Sequence, residues 1–190
     1  MNIPGDRVAS RAKHAVQACI HRYHLEDPHR WPVDIFRVAE AEGWEVLAGG
    51  DLAPMMGWAT TCGTFRRMRL NTRVPWAWQR FTVAHELAHA LHGDLVSLTE
   101  ADGSLMVATA LTATRGRLLR DQEMAASLTA ARLLIPDALL DQTLGQGVTL
   151  EEIARRAVVP LPLVQLRLGM ISATDFLRAM RAAVFAAPAS

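Results

Sequence analysis

Residues 80–93 read Arg-Phe-Thr-Val-Ala-His-Glu-Leu-Ala-His-Ala-Leu-His-Gly, and the pair His85 and His89 within them constrains the chain more than any other feature. On an α-helix, positions i and i+4 share a face, so both imidazoles can reach one metal ion. Glu86 is rotated by roughly 100° from His85, because a turn takes about 3.6 residues. Its carboxylate then lies beside a water carried by the metal rather than on the metal. Zinc lowers the pKa of such a water to about 7, and a neighbouring carboxylate can take its proton. The spacing therefore fits hydrolysis as well as metal binding. Phe81, Ala84, Leu87, Ala88 and Leu91 recur at helical spacing and give the helix an apolar face to bury. A helix is expected over about 76–92, started by Pro75 and ended by Gly93.

Two exposed histidines on an amphipathic helix would also satisfy the bare pattern. A metal needs a third protein ligand, with a fourth position left for water. An extended pattern with Gly at 92 and His at 95 would supply one, but the chain has His92 and Leu95. The ligand must come from another segment. In the run from Glu123 to Pro136, the residues Glu123, Ala126, Ala130 and Leu133 fall on one helical face. A carboxylate aligned with small, apolar, core-facing residues is costly to bury unless it is paired or metal-bound. Asp121 is the second candidate, and Glu100, Asp102 and Asp94 are weaker ones. A Glu near a helix start is also favoured by the helix dipole alone.

Together the two segments resemble the ImmA/IrrE family of metallo-endopeptidases, whose members read R-F-T-x-A-H-E-x-x-H and later E-x-x-A-N-x-F-A-x-x-L-L-x-P. The first motif corresponds to Arg80–His89 and the second to Glu123–Pro136. Pro32-Val33-Asp34-Ile35 looks like the family's P-V-D-L helix start, and Leu70-Asn71 like the strand end before the active-site helix, so the likeness covers roughly residues 8–136. It implies His85, His89 and Glu123 as zinc ligands and Glu86 as general base. The second motif departs from the family at Ser127, where Asn is common, at Thr129, where Phe is common, and at Ala125, where many members carry a second Glu.

A chain of 190 residues with 51% hydrophobic side chains can build a sizeable core. Its net charge of +1 implies no bulk attraction to nucleic acid or to a membrane surface. Cys19 and Cys62 are the only cysteines and are expected as reduced thiols. With no Cys-x-x-Cys, a cysteine-type zinc site is not expected. No stretch approaches the ~20 apolar residues of a membrane span, and the N-terminus has no apolar leader, so a cytoplasmic protein is expected.

Helical patterns are expected over 7–25 and from about Pro32, as the first helical position, to Gly43. Strands are expected over 44–47, 55–62 and 64–71, the last two as a hairpin around Gly63. Residues 94–117 carry turn signals without periodicity and read as a lid or a surface loop. Helices should follow over 118–135, 137–143, 149–157, 161–168 and 173–185, with Ser172 capping the last. The expected fold is α+β: a small antiparallel sheet of about three strands packed on the helix bearing His85 and His89. We expect a metallopeptidase domain over residues 1–143 and a helical, helix-turn-helix-like appendage over 144–190.

Residues 150–168 have that helix-turn-helix look, but Pro160-Leu161-Pro162-Leu163 opens the second helix without base-reading side chains. Packing or partner docking is therefore expected there rather than direct DNA binding, and Arg155, Arg156 and Arg167 read as a solvated face. His92 reads as a helix-end histidine, and Trp76 and Trp78 as packing anchors or a cleft wall. The expected function is that of a zinc endopeptidase, with manganese an alternative metal. The resemblance implies a helix-turn-helix transcriptional repressor as substrate, cut to relieve repression of a mobile element, prophage or stress response. The alternatives are a non-catalytic zinc-containing regulator that binds a repressor or DNA, and a toxin–antitoxin component.

Overall fold

The computed structural model describes residues 4–52, 54–93 and 115–186. Along the chain run α1 (Pro4–Arg22), a single 3-10 turn, α2 (Ile35–Ala41), β1 (Glu45–Ala48), β2 (Gly57–Cys62), β3 (Phe65–Leu70), α3 (Trp76–His92), α4 (Arg115–Leu134), α5 (Asp137–Gly145), α6 (Leu150–Ala157), α7 (Leu161–Arg167) and α8 (Ala173–Phe185). The class is α+β. Expectations for residues 94–114 lie outside the described residues, including those for Asp94, Glu100 and Asp102.

The second helix starts later than the proline signal suggests. Pro32 follows a cis peptide bond, and the helix begins at Ile35 behind Asp34, whose side chain accepts the Arg37 N–H at 3.2 Å. A carboxylate that satisfies an open first-turn donor fixes a helix start more firmly than a proline, which only tolerates one.

The sheet is mixed rather than antiparallel. β3 lies in the centre, antiparallel to β2 through the turn at Gly63 and parallel to β1, with Val46 opposite Met68. Alternation in the sequence fixes which face a strand buries, here Met68 and Leu70 inward with Arg67 and Arg69 outward, and leaves strand direction open. Gly57 lets β2 approach α3. A Cβ at that position would lie 2.6 Å from the Thr82 methyl and 2.5 Å from the Arg69 carbonyl oxygen.

Helix α3 is wrapped by the rest of the molecule. Trp78, Phe81, Val83, Ala84, Leu87 and Ala88 are all buried, so its apolar residues run around most of its circumference rather than along one stripe. Helix α4 packs along one side, the sheet on another, and α1 and α2 on a third. Residues beyond 143 join the same core: Ile153, Leu163, Val164 and Phe176 are fully buried, and Phe176 contacts the rings of both Trp78 and Phe81. Trp76, by contrast, is exposed and stacks on Phe36.

Arg80 on α3 is 5% exposed, and its guanidinium donates to the carbonyl oxygens of Val33 (2.6 Å), Val158 (3.0 Å) and Ala157 (3.4 Å). Burial lowers its pKa, and the charge of Asp34 works in the opposite direction. Removing the side chain leaves buried carbonyls without donors, at about 1–3 kcal/mol for each unsatisfied group, partly offset by no longer burying a charge. Arg80→Met is expected to lower the unfolding free energy by about 3 kcal/mol in urea titration. A loss below about 1 kcal/mol would show that these bonds contribute little net stability.

Candidate metal centre

His85 and His89 project from α3 towards α4, where Glu123 meets them. His85 Nε2 lies 3.1 Å from His89 Nε2 and 3.1 Å from Glu123 Oε2, and His89 Nε2 lies 3.6 Å from Glu123 Oε1. Among the described residues, these three form the cluster of metal-ligating side chains with all ligand atoms within 4.8 Å of one another. Both histidines are buried, and Glu123 is half-exposed. A tetrahedral zinc with bonds of about 2.0–2.2 Å would hold its ligand atoms about 3.4 Å apart, and the three separations bracket that value. The donor set therefore fits a small divalent ion with an open position on the exposed side.

Helix periodicity explains the convergence. His85 and His89 are one turn apart, and their rings meet edge to face with centroids 4.7 Å apart. Phe81, one turn before His85, packs on the His85 ring at 5.4 Å. On α4, the fully buried Ala126 and Ala130 lie one and two turns beyond Glu123 and have only methyl side chains, so the two helices come close. Asp121 is exposed and lies on a different face of α4, outside the cluster.

The electrostatics separate the two carboxylates. Burial raises the pKa of Glu123, but hydrogen bonds and charge from His85 and His89 outweigh it and hold the group well below the usual carboxylate range. Glu86 shifts the other way. Burial pushes its pKa up and the Glu123 charge adds to that, against lowering by the two histidines and by a hydrogen bond from the Ala59 backbone N–H. Glu123 thus suits an ionised ligand, and Glu86 is shifted towards holding a proton.

Sequence reasoning missed three features of the site. The Ala59 N–H that holds Glu86 is a backbone group of β2. The Ser127 hydroxyl lies 3.3 Å from His85 Nδ1 and donates to the Glu123 carbonyl oxygen at 2.8 Å. His92 is half-buried, and its Nε2 pairs with Thr129 Oγ1 at 3.0 Å, an interaction open to this chain because Thr stands at position 129. The sequence marked Ser127 and Thr129 as departures from a pattern, which is the signal that could have drawn attention to them.

Removing a ligand should abolish tight metal binding, and removing a bystander should not. Glu123→Ala is expected to weaken zinc affinity by at least about 100-fold in chelator competition, whereas Asp121→Ala should stay within about threefold of the parent. The reverse order would move the site to Asp121.

Comparison with curated proteins finds none that matches the chain. A family model does match: the IrrE N-terminal-like domain, over residues 48–169. That span starts at the last residue of β1 and takes in β2, β3, both motif helices and α5 to α7, while the Pro32–Ile35 segment lies outside it. The matched region covers well over half of the sequence and contains the whole cluster of His85, His89 and Glu123, so the chain belongs to the ImmA/IrrE metallopeptidase family.

Proposed function

We propose that this protein is a zinc-dependent endopeptidase that cuts a specific protein substrate, a helix-turn-helix transcriptional repressor, and so relieves repression. The observation that carries the catalytic part is the convergence of His85, His89 and Glu123 beside a second carboxylate, Glu86, with a raised pKa. A purely structural metal site has no use for that second group. His85, His89 and Glu123 would hold the ion, and the set accepts manganese as well as zinc. When bound, the metal supplies a Lewis acid that polarises a carbonyl and lowers the pKa of water to about 7.

The chain's own residues do the rest. Glu86 accepts a proton from the attacking water and passes it to the leaving amine. The Ala59 N–H keeps its carboxylate oriented between those steps. Because that N–H points at Glu86 and not along the β3 ladder, the backbone groups of residues 57, 59 and 61 face the outer edge of β2 by strand alternation. Among the described residues β2 pairs only with β3, and the groups on this edge other than the Ala59 N–H, which Glu86 takes, suit an extended peptide.

A repressor as substrate rests on the family resemblance. Direct DNA contact is not part of the proposal. Glu152 pairs with Arg155 and Arg156, Asp137 pairs with Arg167, and Leu163 and Val164 near the start of α7 are buried. Within the described residues, no helix is long and apolar enough to cross a membrane.

Intact-mass analysis of the helix-turn-helix repressor encoded nearest the gene, co-expressed with wild type or Glu86→Gln, tests the reading. One discrete cut is expected with wild type, reduced at least about 100-fold in the variant while metal content is retained. Equal cutting by both would remove Glu86 from the mechanism. An intact repressor that co-purifies with both would favour a binding regulator.

A further inference from the structure

Helix α4 supplies more than a ligand. Ser127 is 1% exposed, so water does not compete for its hydroxyl, and that hydroxyl has a single proton. The proton goes to the Glu123 carbonyl oxygen one turn earlier, at 2.8 Å. At the neighbouring contact, 3.3 Å from His85 Nδ1, the Ser127 oxygen is then an acceptor. Its partner must be an Nδ1–H, so Nε2 is the nitrogen His85 can offer a metal, in exchange for the proton it shares with Glu123. That nitrogen is the one facing His89 and Glu123.

We propose that Ser127 is a positioning residue that fixes the tautomer and ring orientation of His85 for metal binding. This rests on the reading that His85, His89 and Glu123 hold the ion. The relay runs from His85 Nδ1–H to Ser127 Oγ, and from Ser127 O–H to the backbone of Glu123, so one hydroxyl ties two ligands on different helices to each other. A metal-ligating histidine commonly gives its second N–H to a fixed acceptor, and loss of that acceptor typically weakens metal affinity by about 10–100-fold. At Ser127 the acceptor is tethered to the ligand helix itself, so displacement of α4 would disturb both the Glu123 ligand and the His85 orientation.

The test is zinc affinity by chelator competition on the full chain carrying Ser127→Ala or Ser127→Thr, with thermal melting of each metal-free protein. Ser127→Ala is expected to bind zinc about 10–100-fold more weakly with the metal-free melt preserved, and Ser127→Thr, which keeps the hydroxyl, to stay within about threefold of wild type. Affinity of Ser127→Ala within twofold of wild type would overturn the proposal. If a variant fails to fold, nitrogen-15 NMR of the zinc-loaded wild type decides. A protonated Nδ1 and a metal-bound Nε2 on His85 support the role, and metal on Nδ1 overturns it. Zinc binding by wild type that is indifferent to Ser127 would sink this inference alone, whereas absence of zinc binding by wild type would sink the site itself.

Discussion

A single buried guanidinium ties together segments far apart in sequence. Arg80 sits one turn before Ala84 and His85 on α3, and its donors reach Val33 on one side and Ala157 and Val158 on the other. Val158 is the C-cap of α6 and adopts a left-handed conformation, φ 53°, which a β-branched residue rarely takes. Strain of that kind persists only where surrounding structure over-determines it. The Arg80 bond to the Val158 carbonyl is part of that surrounding structure. The same side chain therefore holds the turn after α6, the approach to α2 and the helix of the metal ligands in one arrangement.

The site follows from that arrangement. A helix buried around most of its circumference cannot easily shift, so His85 and His89 are presented at a fixed angle. The alanines of α4 then decide how near Glu123 comes. One carboxylate is drawn into the cluster and kept ionised, while the other, on the next residue after His85, is desolvated and made more basic. Two glutamates acquire different characters from position alone, one held ionised and the other shifted towards its protonated form.

Much of this was legible in the sequence. The bounds of α3 and the cap at Ser172 follow from capping signals, the turn at Gly63 from its glycine and the His85–His89 pair from helical periodicity, while Glu123 stood first among several carboxylates and was singled out by the family resemblance. Strand direction was not legible, because alternation is the same in parallel and antiparallel pairs. The start of α2 misled because a proline is a weaker signal than the Asp34 cap two residues later. The roles of Ala59 and Arg80 were hidden for another reason. One acts through its backbone N–H, and the other bonds to backbone carbonyls, so neither partner leaves a mark in residue type.

The central claim is that two imidazoles and one carboxylate hold a metal with a position left open. X-ray absorption at the zinc edge of the loaded protein tests it most directly. The account predicts two imidazole nitrogens at about 2.0–2.1 Å, the remaining scatterers oxygen, and no sulfur near 2.3 Å. A third imidazole would bring His92 into the site and close it, and a thiolate would place the metal elsewhere in the chain; either result would contradict the account.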